Sequence, residues 1–311
     1  MPRLDIVLGL YNGARFLPEF LDSLSKQTCQ GWRLIVRDDG SRDDSVPIAR
    51  QWAAEHGHAL EVMDDDWGNV GVVRNFSLLL ARTEAPYVML ADQDDVWFPN
   101  KVADALAAIC DLEQQGGGVE LPAAVYTDLQ VVDAELREIH PSFLAMQGLE
   151  SHRHPSFAQL LVQNVAPGCT MIVNRALLSK ALPIPHEAAM HDWWLMLTAS
   201  ALGRVGHIER ASLAYRQHGG NQVGAKHGSL LGLLQQAKAG RSAYACRLQQ
   251  SQAQAQALLQ RLAPETSATL PALGVFSDLH HYPPIIRQFR AWKAGLRKAG
   301  ALRNLAFYAL M

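Results

Sequence analysis

The sequence predicts an α/β fold in which helices flank a Rossmann-like, mainly parallel sheet. Short apolar runs of strand length alternate with longer helical patterns through the first half of the chain. Polar clusters follow several of these runs, as expected for ligand-binding loops at the carboxyl ends of parallel strands. The 311 residues are 49% hydrophobic and 19% charged, so the chain can bury a large core and is not disordered throughout.

Strand and helix patterns alternate regularly as far as residue 115. In chain order, strands are predicted at Leu4–Leu10, Trp32–Arg37, Leu60–Met63 and Tyr87–Ala91. Helices are predicted after them, at Phe16–Thr28, Ser45–His56, Val70–Arg82 and Pro99–Gln115, with Ser45 suited to cap its helix. Strands joined by helices imply parallel pairing with right-handed crossovers.

The second half is less regular. Further strands are predicted at Ala123–Asp128, Thr170–Asn174 and Ser212–Gln217, with a helix at Asp192–Leu202. A Gln/Ala/Leu-rich helix follows at Leu230–Leu262, then a proline-containing irregular stretch at Ala263–Pro284 and a final helix or pair of helices at Ile285–Leu310. Composition changes near residue 225, so we expect an α/β domain at 1–224 and a helical C-terminal extension at 225–311.

Charge is unevenly distributed along the chain. Residues 1–224 carry 17 basic and 28 acidic side chains, whereas residues 225–311 carry 11 basic and 2 acidic ones. An acidic body argues against nucleic acid as a partner, while the basic extension suits an anionic surface. The four cysteines are widely spaced and the sequence has no signal-peptide pattern and no apolar run of about 20 residues, so we expect a cytoplasmic protein with reduced thiols.

The most informative motif is Asp92-Gln93-Asp94-Asp95, which directly follows a predicted strand. Clustered carboxylates repel one another unless a cation offsets them, and oxygen ligands suit Mg²⁺ or Mn²⁺ bound to a phosphate. The alternative is a helix N-cap with an acidic first turn. Three acids in four positions exceed what a cap requires, which favours the metal.

Four other segments carry polar groups, each with a simpler alternative. Asp38-Asp39-Gly40-Ser41 fits contacts to a base or ribose, or a plain turn. Arg74, after a glycine-containing loop, fits a phosphate contact or a solvated surface. Asp192, between His191 and two tryptophans, fits a desolvated general base or a helix cap over a tryptophan core. His218 fits a metal or phosphate contact, or an ordinary surface histidine.

Seven motifs in this order resemble the inverting family 2 glycosyltransferases of GT-A fold, and most closely their bacterial rhamnosyltransferase-like branch. The resemblance covers residues 4–224. It rests on Tyr11-Asn12-Gly13, Asp38-Asp39-Gly40-Ser41, Asn75-Phe76-Ser77, Asp92-Gln93-Asp94-Asp95-Val96-Trp97, Gly168-Cys169-Thr170-Met171, His191-Asp192-Trp193-Trp194 and Tyr215-Arg216-Gln217-His218-Gly219-Gly220-Asn221-Gln222.

The resemblance implies contacts to a nucleotide-sugar donor. Tyr11, Asn12 and Asp39 are expected to hold the base, and Asp92 to contact ribose or metal. Arg74, Trp97 and Trp193 complete the expected donor-binding set.

The resemblance also implies the reactive groups. Asp94 is expected to ligate Mg²⁺ or Mn²⁺ on the diphosphate, and His218 to reach the metal or diphosphate from the other side. Asp192 is expected to be the catalytic base.

The same likeness suggests dTDP-L-rhamnose as donor and a glycan or lipid-linked acceptor in cell-surface polysaccharide synthesis. A UDP-hexose donor and a non-catalytic nucleotide-binding scaffold remain alternatives, and a homo-oligomer stays open. An NAD-dependent Rossmann enzyme is disfavoured because no GxGxxG follows the first strand.

The C-terminal segment 285–311 contains six basic residues and no acid, interspersed with aromatic and aliphatic residues. Phe289, Trp292 and Leu296 have helical spacing. A basic amphipathic helix fits peripheral contact with the inner face of an anionic membrane. The alternative is a helix packed on the acidic body or on a second subunit.

Overall fold

The structure, a computed structural model, describes residues 3–150, 154–219 and 230–311, with only the course of the backbone for residues 230–243. The expected domain boundary near residue 225 lies outside the described residues, as do Gly220, Asn221 and Gln222 of the predicted polar loop.

The described strands form one mixed sheet, in the order β3-β2-β1-β4-β8-β6-β9-β5, with β7 paired to β6. The strands are β1 (Leu4–Leu10), β2 (Trp32–Asp38), β3 (Ala59–Val62), β4 (Tyr87–Ala91), β5 (Val96–Trp97), β6 (Ala123–Val132), β7 (Glu138–His140), β8 (Ile172–Asn174) and β9 (Arg204–Arg216).

Parallel pairing holds for most of the paired residues of the sheet. Strands β1 to β4 are mutually parallel, as predicted. Strand β8 runs antiparallel to both β4 and β6, and β5 runs antiparallel to β9. Strands β6 and β9 pair in parallel over nine residue pairs, so the prediction of a mainly parallel sheet is confirmed, with short antiparallel pairings at β5, β7 and β8.

The described helices flank this sheet and form the C-terminal extension. They are α1 (Leu17–Ser25), α2 (Ser45–His56), α3 (Val72–Arg82), α4 (Lys101–Gly116), α5 (Phe143–Met146), α6 (Phe157–Val162), α7 (Arg175–Ala181), α8 (His191–Leu202), α9 (Leu230–Arg261), α10 (Pro264–Ala268), α11 (Pro271–Asp278), α12 (Pro284–Lys293) and α13 (Ala301–Leu310). Two helices, α10 and α11, occupy the stretch predicted to be irregular. Pro264 and Pro271 lie in their first turns, where proline's missing N–H is not needed.

Both faces of the sheet are covered, because alternate side chains of each strand point to opposite sides. Ile6 and Leu8 of β1 pack in a core with α1, α2 and α4. Val7 belongs to a second core on the other face, together with α3, α6 and α8.

The C-terminal helices share that second core. Leu258, Phe276 and Phe307, from α9, α11 and α13, are fully buried in the same cluster as Leu160 and Trp194 of the α/β body. The extension is thus packed against the body.

No helix in the described part of the chain is long and apolar enough to cross a membrane.

Candidate active site

The polar motifs meet at one edge of the sheet. Leu10 at the end of β1 is in register with Asp38 at the end of β2, and the neighbouring β4 ends at Ala91 beside Leu8. The loops that follow these strands therefore leave the sheet side by side. They carry the predicted residues Tyr11, Asn12, Asp39, Asp92 and Asp94.

The four residues Asp92–Asp95 form a loop between β4 and β5, which is not the start of a helix. Helix α4 begins at Lys101, after Asn100. The N-cap alternative for these acids is therefore wrong, and their carboxylates need another explanation.

Gln93 joins this acidic loop to the loop after β1. Its Oε1 accepts a hydrogen bond from Tyr11 N at 3.0 Å, and its Nε2 donates to Tyr11 O at 2.9 Å. A Cβ at Gly13 would lie 2.2 Å from Gln93 Oε1, so the amide fits only because residue 13 is glycine. Sequence reasoning gave Gln93 no role, since its partners are backbone atoms 82 residues away.

The loop after β1 is shaped by Asn12. This residue has a left-handed backbone, with φ of 49°. Its N–H donates to Ser41 Oγ at 2.9 Å, and its Oδ1 accepts from Arg42 N at 2.8 Å. The Tyr11 side chain is about half exposed beside it, which leaves its ring available to a ligand.

Asp39 is buried and holds a neighbouring loop. Its Oδ1 accepts from Val70 N at 2.8 Å and from Arg37 Nη1 at 3.0 Å, and its Oδ2 accepts from Gly71 N at 3.0 Å. The residue predicted to contact a base thus already braces the loop that precedes α3. Arg74 on that helix is exposed, and its guanidinium lies 4.3 Å from the ring centre of Trp67.

The two predicted metal ligands are in direct contact. His218 Nε2 lies 2.8 Å from Asp94 Oδ2, although 124 residues separate them in the chain. Arg216 supports the pair, because its Nε donates to the backbone oxygen of Asp94 at 3.0 Å and its Nη2 pairs with Glu19. The ring of Phe16 packs on both His218 and Arg216. His218 is thus not an ordinary surface histidine.

Two side chains of the acidic loop, Asp92 and Asp95, cluster with the buried Cys169. Possible ligand atoms of Asp92, Asp95 and Cys169 all lie within 4.8 Å of one another. Burial raises the pKa values of the Asp95 carboxyl and the Cys169 thiol well above their usual ranges, and nearby carboxylates add to both. Lys101 is the nearby cation, and burial lowers its pKa to about 8.

Trp97 is in the core and does not line the cleft. Its side chain is 2% exposed, contacts the Phe20 ring edge-on at 5.8 Å and lies under Lys101 Nζ. The expectation that Trp97 contacts a donor is not supported by this position, because a direct contact would require the core to open.

Asp192 is the second residue of α8, whose N-cap is Met190. Its carboxylate accepts hydrogen bonds from Asn164 Nδ2 at 3.0 Å, Gly168 N at 2.9 Å and Trp193 N at 2.5 Å. Burial nevertheless raises the pKa of Asp192 to about 6, because desolvation outweighs these donors. The carboxylate is thus able to take up a proton near neutral pH.

The two tryptophans after Asp192 differ. Trp194 is fully buried and its Nε1 donates to Ala181 O at 2.8 Å. Trp193 is half-buried and its Nε1 donates to Leu160 O. Trp194 is therefore a core residue, and only Trp193 keeps exposed surface that a ligand can reach.

The Asp92 carboxyl is close enough to both Asp94 and Asp192 for their charges to affect its pKa. Burial, together with the negative charges of Asp94 and Asp192, raises the pKa of Asp92 to about 7. Asp94 and Asp192 therefore both lie near the Asp92 carboxyl. A separate cavity of about 530 Å³ lies at the other end of β4, beside Tyr87, and contains no predicted site residue.

The donor atoms at this site fit a hard divalent cation. Asp94 and His218, which are in contact, offer a carboxylate oxygen and an imidazole nitrogen, and Asp92 adds a carboxylate that groups with Asp95 and Cys169; carboxylate oxygens suit Mg²⁺ or Mn²⁺. At Asp92 and Asp95, neighbouring negative charges add to burial in raising the pKa, which is the local repulsion that a bound cation would relieve. The Cys169 thiol, which stays protonated, is a poor ligand for such an ion.

Comparison with known proteins identifies the family. The model of the family "Glycosyl transferase family 2" matches residues 5–163, half of the chain. The chain belongs to glycosyl transferase family 2. It is 23% identical over 229 residues to the dTDP-rhamnosyl transferase RfbG of Shigella flexneri, an alignment that covers 70% of this chain and 74% of RfbG.

A second relative matches over a shorter part. The glycosyltransferase GlyG of Streptococcus pneumoniae serotype 4 (strain ATCC BAA-334 / TIGR4) is 26% identical over 99 residues, 32% of each chain. The present chain spans about half or less of the length of several other curated relatives that it matches.

Solved structures confirm the GT-A fold. The mannosyltransferase PcManGT from Pyrobaculum calidifontis, in complex with GDP-Man and Mn²⁺, matches with a TM-score of 0.60 and 17% identity, covering 99% of this chain and 79% of that one. S. aureus TarS 1-349 in complex with UDP matches with a TM-score of 0.58 and 16% identity, covering 89% and 71%.

Proposed function

We propose that this family 2 glycosyltransferase is metal-dependent and inverts configuration, with Asp192 as its base. The observation that carries the proposal is the buried Asp192 carboxylate, which has a pKa of about 6 and, like Asp94 of the Asp94–His218 pair, lies near enough to Asp92 to raise its pKa. A base and a cation-binding pair around one cleft are what a displacement at an activated sugar carbon requires.

In the proposed reaction, Asp192 removes the proton from an acceptor hydroxyl as its oxygen bonds to the anomeric carbon of the donor. The bond from that carbon to the nucleoside diphosphate breaks on the opposite face, so configuration inverts. Mg²⁺ or Mn²⁺ held by Asp94 and His218 would offset the charge on the departing diphosphate. Arg74 adds a cation to the same end.

The remaining site residues position the donor in this proposal. Tyr11 and Asn12 form the nucleotide loop after β1, and Asp39, which braces the loop before α3, accepts a hydrogen bond from a base N–H. Asp92 contacts ribose or metal, and the accessible part of Trp193 packs against the sugar. Trp97 is left out of the set because of its burial.

We propose dTDP-L-rhamnose as donor and a glycan or lipid-linked hydroxyl as acceptor, in the assembly of cell-surface polysaccharide such as O-antigen or capsule. The similarity to RfbG supports the donor. A UDP-sugar is the second candidate, since TarS 1-349 has been solved with UDP-GlcNAc. The enzyme would act in the cytoplasm, at the inner face of the membrane.

A screen of nucleotide sugars tests this function. Thermal shift and donor hydrolysis are measured with and without Mn²⁺ for dTDP-rhamnose, UDP-hexoses and GDP-mannose. We expect Mn²⁺-dependent stabilisation and hydrolysis with dTDP-rhamnose. A response to a UDP-sugar alone would replace the donor, and no response to any nucleotide sugar would contradict the proposed activity.

A further inference from the structure

Helices α12 and α13 present large apolar side chains to solvent. Four lie on α12 and two on α13, and their exposed fractions run from 48% to 81%: Ile285, Ile286, Phe289, Trp292, Leu302 and Leu305. We call these six residues the α12–α13 face. The other exposed large apolar residues among those described lie outside these two helices: Tyr11, Trp67, Val119, Leu136 and Ile139. A concentrated apolar surface of this kind marks an interaction site.

The face belongs to firmly attached helices. Gln288 Nε2 donates to Tyr308 O at 2.9 Å and thereby joins α12 to α13. Ala291 of α12 and Phe307 of α13 are fully buried on the opposite side of each helix. Leu296, expected on the same face as Phe289, lies beyond the end of α12 and is fully buried instead. The exposed side chains are therefore a feature of the folded protein.

Only cations border this face within the segment that forms it. Residues 282–311 contain six basic side chains and no acidic one. Lys293 and Arg297 are exposed, while Arg287 donates to backbone oxygens of Leu279 and Tyr282. Lys298 is half-buried, and its pKa is lowered to about 8 by desolvation and by two neighbouring arginines. The partner of this face must therefore be apolar beneath and anionic at its surface.

We propose that the α12–α13 face docks on an anionic lipid bilayer. The six apolar side chains insert below the headgroups, with Lys293 and Arg297 at the level of the lipid phosphates. A second copy of the chain fits less well. A two-fold interface brings the same patch together from both subunits, and it would set these cations against one another with no acid from residues 282–311 to pair them.

The docked face is linked to the wall of the active site. Ala299, between α12 and α13, donates its N–H to Gln163 Oε1 at 2.8 Å. The next residue, Asn164, holds the Asp192 carboxylate. Docking would thus bring the base close to the membrane surface, where a lipid-linked acceptor lies. This last consequence rests on the proposed function, whereas the docking itself does not.

Vesicle co-sedimentation of the full chain, without donor or metal, tests the docking. The vesicles contain phosphatidylcholine alone or mixed with phosphatidylglycerol. We expect the wild type to pellet with the anionic vesicles and to stay in solution with the neutral ones.

A Phe289→Glu/Trp292→Glu variant should lose pelleting. The Lys293→Gln/Arg297→Gln variant should weaken vesicle binding roughly tenfold or more, since each charge contributes about 1 kcal/mol. Val119→Glu, at an exposed apolar residue elsewhere, is the control and should pellet like the wild type.

Three results would overturn the proposal: no pelleting, equal pelleting with both lipids, or pelleting that survives both double substitutions. Light scattering that finds a dimer only in the wild type, and not in Phe289→Glu/Trp292→Glu, would assign the face to a second copy instead. Melting temperatures check that the variants fold, which we expect because the substituted side chains are exposed.

The same proteins separate this proposal from the proposed function. Asp192→Asn should bind vesicles like the wild type, and Phe289→Glu/Trp292→Glu should hydrolyse the donor like the wild type. Failure of vesicle binding alone leaves the catalytic proposal standing, and failure of donor hydrolysis alone leaves the docking standing.

Discussion

Asp192 illustrates how opposing effects on one residue set its chemistry. Three donors stabilise its charged form, yet burial raises its pKa to about 6. A carboxyl whose pKa is raised on folding favours its neutral form, so the charged state becomes the main species only above that pKa. As a base, Asp192 must be charged, and its activity should therefore appear as pH rises through about 6.

We predict an acidic limb in the pH profile of kcat/KM near pH 6. Asn164→Ala should move that limb upward by roughly one unit, because a hydrogen bond to a charged group is worth about 1.5 kcal/mol. Gln163→Ala is the matched control, since Gln163 contacts Ala299 and has no bond to Asp192. An unchanged limb in Asn164→Ala would argue against Asp192 as the titrating base.

Replacing the base itself should separate chemistry from binding. Asp192→Asn is expected to lower kcat by about 10²- to 10⁴-fold, the usual contribution of a positioned base. Donor affinity, measured by calorimetry, should stay close to that of the wild type. Turnover close to the wild-type value would remove Asp192 from this role.

Asp94 and His218 provide the corresponding test for the metal. Asp94→Ala removes one proposed ligand, so Mn²⁺-dependent donor binding should weaken by tenfold or more in calorimetry, on the order of 1.4 kcal/mol. Binding without metal should change less. Equal Mn²⁺-dependent affinities in the variant and the wild type would exclude Asp94 as a ligand.

At the scale of elements, the site depends on how two loops are joined. The loops after β1 and β4 leave neighbouring strands, and the Gln93 amide bonds to both backbone groups of Tyr11. Gly13 leaves room for that amide. The nucleotide loop and the acidic loop are therefore held in one relative position.

A double-mutant cycle tests this joint. Gln93→Ala removes both hydrogen bonds, and Gly13→Ala displaces the same amide, so each should lower stability by about 1 to 2 kcal/mol and weaken donor binding. The double variant should be little worse than the more damaging single one, because both disrupt one contact. Denaturant unfolding and donor calorimetry measure the cycle; fully additive effects would mean that Gly13 and Gln93 act independently.

The sequence was sufficient for elements with local signals and insufficient for relations between distant segments. Strand β1, helix α2 and strand β4 have the predicted bounds, since their apolar patterns end at clear turn residues. The acidic loop and His218 were found through their motifs. Gln93, Asn164 and Arg216 were missed as supports, because each bonds to a group far away in the chain. The burial of Trp97 likewise depends on packing that no local pattern reveals.

At the scale of the whole molecule, the C-terminal helices complete a core that the α/β body cannot close alone. Leu258, Phe276 and Phe307 are fully buried against it. Ala189 of the α/β body, two residues before His191, donates its N–H to Gln254 Oε1 of α9 at 3.0 Å. The extension therefore supports the segment that carries the proposed base.

We predict that a chain ending at residue 224 does not fold stably. Each large apolar side chain that loses its buried contacts costs about 1.5 to 3 kcal/mol, and a domain's whole stability is about 5 to 15 kcal/mol. Circular dichroism melting should give no cooperative transition. Phe289→Glu/Trp292→Glu, which changes only exposed residues of the same extension, should melt like the wild type. A cooperative transition of the shortened chain near the wild-type temperature would make residues 1–224 an independent domain.

The bond between Ala299 and Gln163 has a consequence for engineering. Exchanging the last hundred residues between relatives is an obvious way to redirect such an enzyme to a new acceptor. In this protein the exchange would also remove the Ala299 N–H bonded to Gln163, next to the Asn164 that holds the proposed base, together with the Gln254 amide bonded to Ala189. Chimeras would therefore need to retain Gln254 and the 294–300 turn, and to vary only the outward-facing side chains of the last two helices.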